Sequence, residues 1–161
     1  MKKDKKKMSP VTISVIVAII GVVLIFGSII YNSKHSIEEW VVCNYNGSIQ
    51  GYKETIKFRY MYDTLYGYYE EKDIMAQSED EKTKIEEQIN EFGKDFPTSD
   101  DVKLEVTSEG LEVKSNFYIK TITYTNFIDD YFKEQEITMQ SNSSDIVNKL
   151  KSDYECKITR K

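Results

Sequence analysis

Residues 11 to 31, VTISVIVAIIGVVLIFGSIIY, run for 21 positions without a charged side chain. A helix of that length rises roughly 31 Å, enough to cross the hydrocarbon core of a bilayer. No other feature restricts the fold as much, because a helix of this length that is apolar on every side has no face to leave to water. Pro10 suits a first helical turn, and Tyr31 sits where an interfacial aromatic belongs. The preceding stretch MKKDKKKMSP holds five lysines and one aspartate, a tail of +4, and the flank after the run is only weakly basic. The positive-inside rule therefore places the N-terminus in the cytoplasm and residues 32 to 161 outside. The run is long for the apolar part of a signal peptide and no A-x-A-like site follows, so an uncleaved signal anchor is expected rather than a cleaved leader. Cys43 follows Trp40, Val41 and Val42, twelve residues past Tyr31, which is not a lipidation site.

The overall net charge is −5; removing the +4 tail leaves −9 for residues 11 to 161. An acidic body repels phosphate backbones, so nucleic acid is not an expected partner. Lysine outnumbers arginine by 20 to 2, a usage that follows AT-rich codons and also accounts for some of the 12 tyrosines. The expected organisation is a cytoplasmic tail (1–10), the anchor (11–31), a juxtamembrane linker (32–37) and an extracytoplasmic domain (38–161). Only about ten residues lie inside, too few for a signalling domain there.

Within the outer part, EEWVVCNY reads as a strand and NYNGSIQG as a turn. In IKFRYMYDTLYGYYEE, Ile56, Phe58, Tyr60 and Tyr62 alternate with Lys57, Arg59, Met61 and Asp63. That period of two marks a strand with one buried face. The stretch DTLYG is expected to turn the chain, with the return strand opening at Tyr66. Ser78 followed by Glu81 forms a capping box before Ile85, Ile89 and Phe92, and Gly93 is expected in the left-handed position that ends the helix. VKLEV, the turn TSEG and LEVKSNFYIKTITYT read as further strands. NFIDDYFKEQEITMQ reads as a short helix leading into an edge strand, SNSSDIVNKLKS as a short helix, and DYECKI as a last strand. The expected fold is α+β: an antiparallel sheet packed with one longer and one shorter helix.

Cys43 and Cys156 fall in the first and last of these strands. Outside the cytoplasm, an even pair at the two ends of a domain points to a disulfide; two small buried thiols are the alternative. A bridge closing more than a hundred residues is worth roughly 4 to 5 kcal/mol on chain-entropy grounds. The basic start, the apolar anchor, VVCNY, ETIKFRY, the charged helix and the closing DIVNKLKSDYECK together resemble small tethered extracytoplasmic domains of Gram-positive bacteria related to YehR-like lipoproteins. The likeness covers most of residues 40 to 158 in the order of elements, without a lipobox. It implies an envelope protein and transfers no catalytic residue.

Catalysis finds little support in the residue types. The single histidine, His35, lies in the linker, so no Ser–His–Asp or Cys–His set is available to the folded domain. There is no GxGxxG or GxxxxGK[ST] phosphate loop. The aspartate pairs in PTSDD and NFIDD lack EF-hand spacing, and no metal or other cofactor is expected. The tyrosines remain. The alternation sends Phe58, Tyr60 and Tyr62 to the core and leaves Tyr66, Tyr68 and Tyr69, near the bend, for exposure and binding. The sequence thus reads as a non-enzymatic surface protein that contacts another envelope component, or alternatively as a wall-polymer or carbohydrate-binding module using the tyrosine-rich hairpin.

Overall fold

The computed structural model describes residues 38–97 and 99–160. The expected tail, anchor and linker, with His35, lie outside the described residues; among the described residues no helix is long and apolar enough to cross a membrane. The elements are β1 (Glu38–Tyr45), β2 (Tyr52–Met61), β3 (Thr64–Met75), α1 (Glu79–Lys94), β4 (Val102–Glu109), β5 (Glu112–Lys120), α2 (Asn126–Tyr131), α3 (Ser143–Leu150) and β6 (Tyr154–Arg160). The strands form one sheet in the order β4-β5-β3-β2-β1-β6. Every neighbouring pair is antiparallel. The α+β expectation holds, with three described helices instead of two.

All three helices lie on one face. α1 packs on β4 and β5, and α3 on β1 and β6. Between them α2 sends Ile128 and the adjoining Phe132 onto the centre of the sheet, where Phe132 meets Phe58 and Tyr68 with ring centroids 5.4 Å apart. The alternation of β2 supplies this layer: Ile56, Phe58 and Tyr60 are buried beside Val41 and Cys43 of β1. Tyr60 is satisfied there by donating its hydroxyl to the Ser141 carbonyl at 2.7 Å.

Tyr62 departs from the expectation: it is 67 % exposed. The chain turns at Tyr62–Asp63, not in DTLYG, and both residues take positive φ, 50° and 62°. That is the two-residue turn whose twist matches a right-twisted hairpin. Return pairing begins at once with Met61 opposite Thr64 and Tyr60 opposite Leu65, then jumps to Arg59 opposite Gly67. Tyr66 is the extra residue of this bulge, and the bulge exchanges the two parities of β3. Leu65 points into the core before it; Tyr68 and Glu70 point into the core after it.

The helix ends follow local chemistry. Ser78 accepts the Glu81 amide at 3.2 Å, while the Glu81 carboxylate accepts the Gln77 amide at 2.6 Å. Gly93 does not end α1 as expected. The helix continues to Lys94, and an added Cβ on Gly93 would lie 2.5 Å from Leu104 Cδ2, so a larger residue there would have to push the Leu104 side chain aside. The edge strand expected after NFIDDY is also absent; residues 132–141 form turns that fold Ile137 beneath the helices. Asn142 and Asp145 cap α3 reciprocally, at 3.0 and 3.1 Å. Cys43 and Cys156 face each other in the β1–β6 register and are joined as a disulfide with Cα atoms 4.0 Å apart. The bond ties the mostly exposed edge strand β6 to the core strand β1.

Candidate functional site on the open face of the sheet

No described helix covers the opposite face of the sheet, so the outward parity of each strand is where a binding surface can form. On β1 that parity carries Trp40, which sits directly across from Arg59 of β2. On β3 it carries Tyr69, opposite Tyr118 of β5. The Trp40 ring reaches over β2 to Tyr69 with centroids 5.3 Å apart, and Tyr69 lies 4.6 Å from Tyr118. One row of aromatic rings thus crosses from β1 to β5. Gly67 makes room for it: a Cβ there would lie 3.3 Å from Tyr118 Cε2 and 3.6 Å from Tyr69 Cε2, so the two rings close over bare backbone.

Cations flank the row. The Arg59 guanidinium carbon is 5.6 Å from the Trp40 ring and 5.3 Å from the Tyr66 ring, and Lys120 Nζ is 5.7 Å from Tyr66. Such contacts orient a guanidinium and give roughly 0.5–1 kcal/mol when exposed. Glu38 holds the corner, accepting Trp40 Nε1 at 2.7 Å and Arg59 Nε at 3.1 Å. Lys57 pairs with Glu71, and Lys120 with Asp101 at 3.2 Å. The Thr123 hydroxyl and Lys120 hold the Asp101 carboxyl below its ordinary pKa. Burial, with Tyr69 next, raises the Tyr118 phenol. The surface is therefore a rigid band of half-buried rings set among compensated charges.

Of the three tyrosines expected at the site, the structure brings Tyr66 and Tyr69 to this face and withdraws Tyr68. Tyr68 is fully buried and touches Phe58, Phe117, Phe127, Tyr131 and Phe132. Its hydroxyl donates to Glu70 Oε1 at 2.9 Å, and the Tyr131 hydroxyl donates to the same oxygen at 2.8 Å. Lys72 meets Glu70 Oε2 at 2.8 Å and Glu54 at 3.5 Å, and Tyr154 donates to Glu54. A buried carboxylate needs such partners, because an unpaired one would be expelled or neutralised. Burial first, then the Glu70 charge, pushes the Tyr68 and Tyr131 phenols well above the ordinary value. This network fixes the inner face and closes Tyr68 off from any partner. Trp40, Arg59 and Tyr118 were not expected from the sequence; the available signal was an aromatic or cation on the outward parity of each strand.

No protein-family model matches the chain, and no curated protein matches it. Among solved structures it is similar to the YehR protein of E. coli, determined by NMR, at 18% identity over 54% of this chain, with a TM-score of 0.43. That match spans 63% of YehR, less than two thirds of its length. An NMR structure of a protein from Streptococcus pneumoniae TIGR4 is similar at 13% identity over 74% of this chain and 85% of that one, with a TM-score of 0.49. Both are loose likenesses of fold.

Proposed function

We propose that residues 38–160 form a non-enzymatic interaction domain, held at the outer side of the cell membrane by residues 11–31, that docks another envelope protein through the open face of its sheet. The observation that carries this reading is the row Trp40–Tyr69–Tyr118 with Arg59 and Tyr66 beside it. Tryptophan, tyrosine and arginine are the side chains that most often dominate binding energy at protein interfaces. Here they are already ordered by one another, so little side-chain entropy is lost on docking. A sugar polymer is the second reading, favoured by the Tyr69–Tyr118 pair as a stacking platform.

The experiment is site-specific photocrosslinking in living cells, with a photoreactive residue in place of Lys57 on the open face and, as control, of Lys133 on the helix side. A defined protein adduct at position 57 that disappears in Trp40→Ala and Tyr118→Ala is the expected result. An adduct indifferent to both substitutions, or equal at position 133, would overturn the docking surface. Glycan fragments that depend on Tyr69 and Tyr118 would replace the protein partner by the polymer.

A further inference from the structure

A second surface lies on the helix side, remote from the stripe, where α1 ends over α2. α1 has no fully buried residue. Its apolar side chains Phe92 and the following Phe96 instead wall a cleft of about 590 Å³ with Phe127 and Tyr131. The four rings close a circuit: Phe92 to Phe96 is 5.2 Å between centroids, Phe96 to Phe127 5.8 Å, Phe127 to Tyr131 5.0 Å and Tyr131 back to Phe92 6.1 Å. Phe117 lies within 5.1 to 5.7 Å of three of them and is itself buried. The volume matches that of small-molecule sites, which are largely aromatic with a few polar groups. The charged groups lining the cleft are both acidic, Asp95 and Asp130, and neither is in an ion pair among the described residues.

We infer that this cleft binds a quaternary ammonium group. Ring quadrupoles attract a cation lying within about 6 Å of several centroids, most of all a bulky cation that gives up its hydration readily. The two carboxylates add attraction without competing cations, and they disfavour any anion carried on the same ligand. A neutral ligand of equal shape would gain only the apolar contact. A free quaternary amine and a phosphocholine headgroup share the recognised group, and the carboxylates favour the free amine.

The test is NMR titration of the full chain, in maltoside micelles with labelled phenylalanines, against tetramethylammonium and its neutral counterpart neopentyl alcohol. Saturable shifts of Phe92, Phe96 and Phe127 with tetramethylammonium, and at least about tenfold weaker binding of the alcohol, are expected. Phe127→Leu, which keeps apolar bulk and removes the ring, should weaken binding about tenfold. The Asp95→Asn, Asp130→Asn double variant alters only exposed side chains and should weaken it about threefold even if Phe127→Leu fails to fold. Tyr69→Ala, on the other face, should leave it unchanged. Choline should bind more tightly than glycerophosphocholine. Equal binding of the alcohol, tighter binding of n-butylammonium, or no shift at 100 mM tetramethylammonium (roughly the weakest affinity worth calling a site) would each overturn the inference, and a preference for glycerophosphocholine would overturn the role of the carboxylates.

Discussion

Tyr68 and Tyr69 are neighbours in one strand and serve opposite faces of one sheet. Tyr68 has no exposed surface, packs among five rings and donates to a buried carboxylate. Tyr69 is half-buried, bridges Trp40 and Tyr118, and lies on a face with no described helix above it. The same side chain is thus a core element at one position and a surface plate at the next. Strand geometry decides which, since successive side chains point to opposite faces. Tyrosine tolerates both settings because it joins a large apolar ring to one hydroxyl, and burial demands only that the hydroxyl find an acceptor.

The sharpest way to break this comparison is to truncate both residues. Tyr68→Ala should cost about 4 kcal/mol, the range for removing a buried aromatic, because a cavity opens and Glu70 loses a donor. Tyr69→Ala should cost about 1 kcal/mol, since water already reaches the ring and its two ring contacts, with Trp40 and Tyr118, are worth a few tenths each. Denaturant midpoints at constant slope would measure both. Equal costs would mean that the open face is as structural as the core, and the interaction reading would lose its footing.

Alkaline pH tests the inner face without mutation. Burial holds the phenols of Tyr60 and Tyr68 far above their ordinary value in the fold. In the unfolded chain both titrate near 10. A raised folded pKa favours the protonated form, so its contribution is fully present below about pH 10 and is lost as pH rises from there toward the folded value. Each such tyrosine should then add about 1.4 kcal/mol of destabilisation per pH unit. Phenolate absorbance and unfolding followed together should show Tyr60 and Tyr68 ionising only as the chain unfolds. Reversible ionisation of every tyrosine before unfolding would contradict the buried network.

Most of the framework was legible because it rests on local signals. The alternation of β2 and the Ser78 cap are each written within a few residues, and the two cysteines end up directly opposed. What was not legible depends on partners far along the chain. Tyr68 was expected outside because it was read as lying near the bend, whereas the turn falls earlier, at Tyr62–Asp63, and the bulge at Tyr66 sets Tyr68 on the inner face of β3. Gly93 reads as a helix terminator until Leu104 is known to lie against it. Tyr118 sits within the continuous apolar run Phe117–Ile119, which hides that it points away from both neighbours. The stripe itself draws on four strands, and only the register aligns Trp40 with Arg59 and Tyr69 with Tyr118.

The hairpin turn gives the smallest effect and tests the step on which the whole division into faces depends. Tyr62 and Asp63 both occupy left-handed conformations, which a residue with a Cβ adopts at a cost of roughly 1–2 kcal/mol, less for aspartate. Asn-Gly is the pair this turn prefers. Tyr62 is largely exposed, so replacing it gives up little packing. Tyr62→Asn with Asp63→Gly should therefore stabilise the protein by about 1 kcal/mol and leave both faces unchanged. Tyr62→Pro should destabilise it by more than that, since proline cannot reach φ of 50°. A neutral proline variant would mean the turn lies elsewhere, the register of β2 on β3 would shift with it, and a shift of one residue would send Tyr69 inward and Tyr68 out.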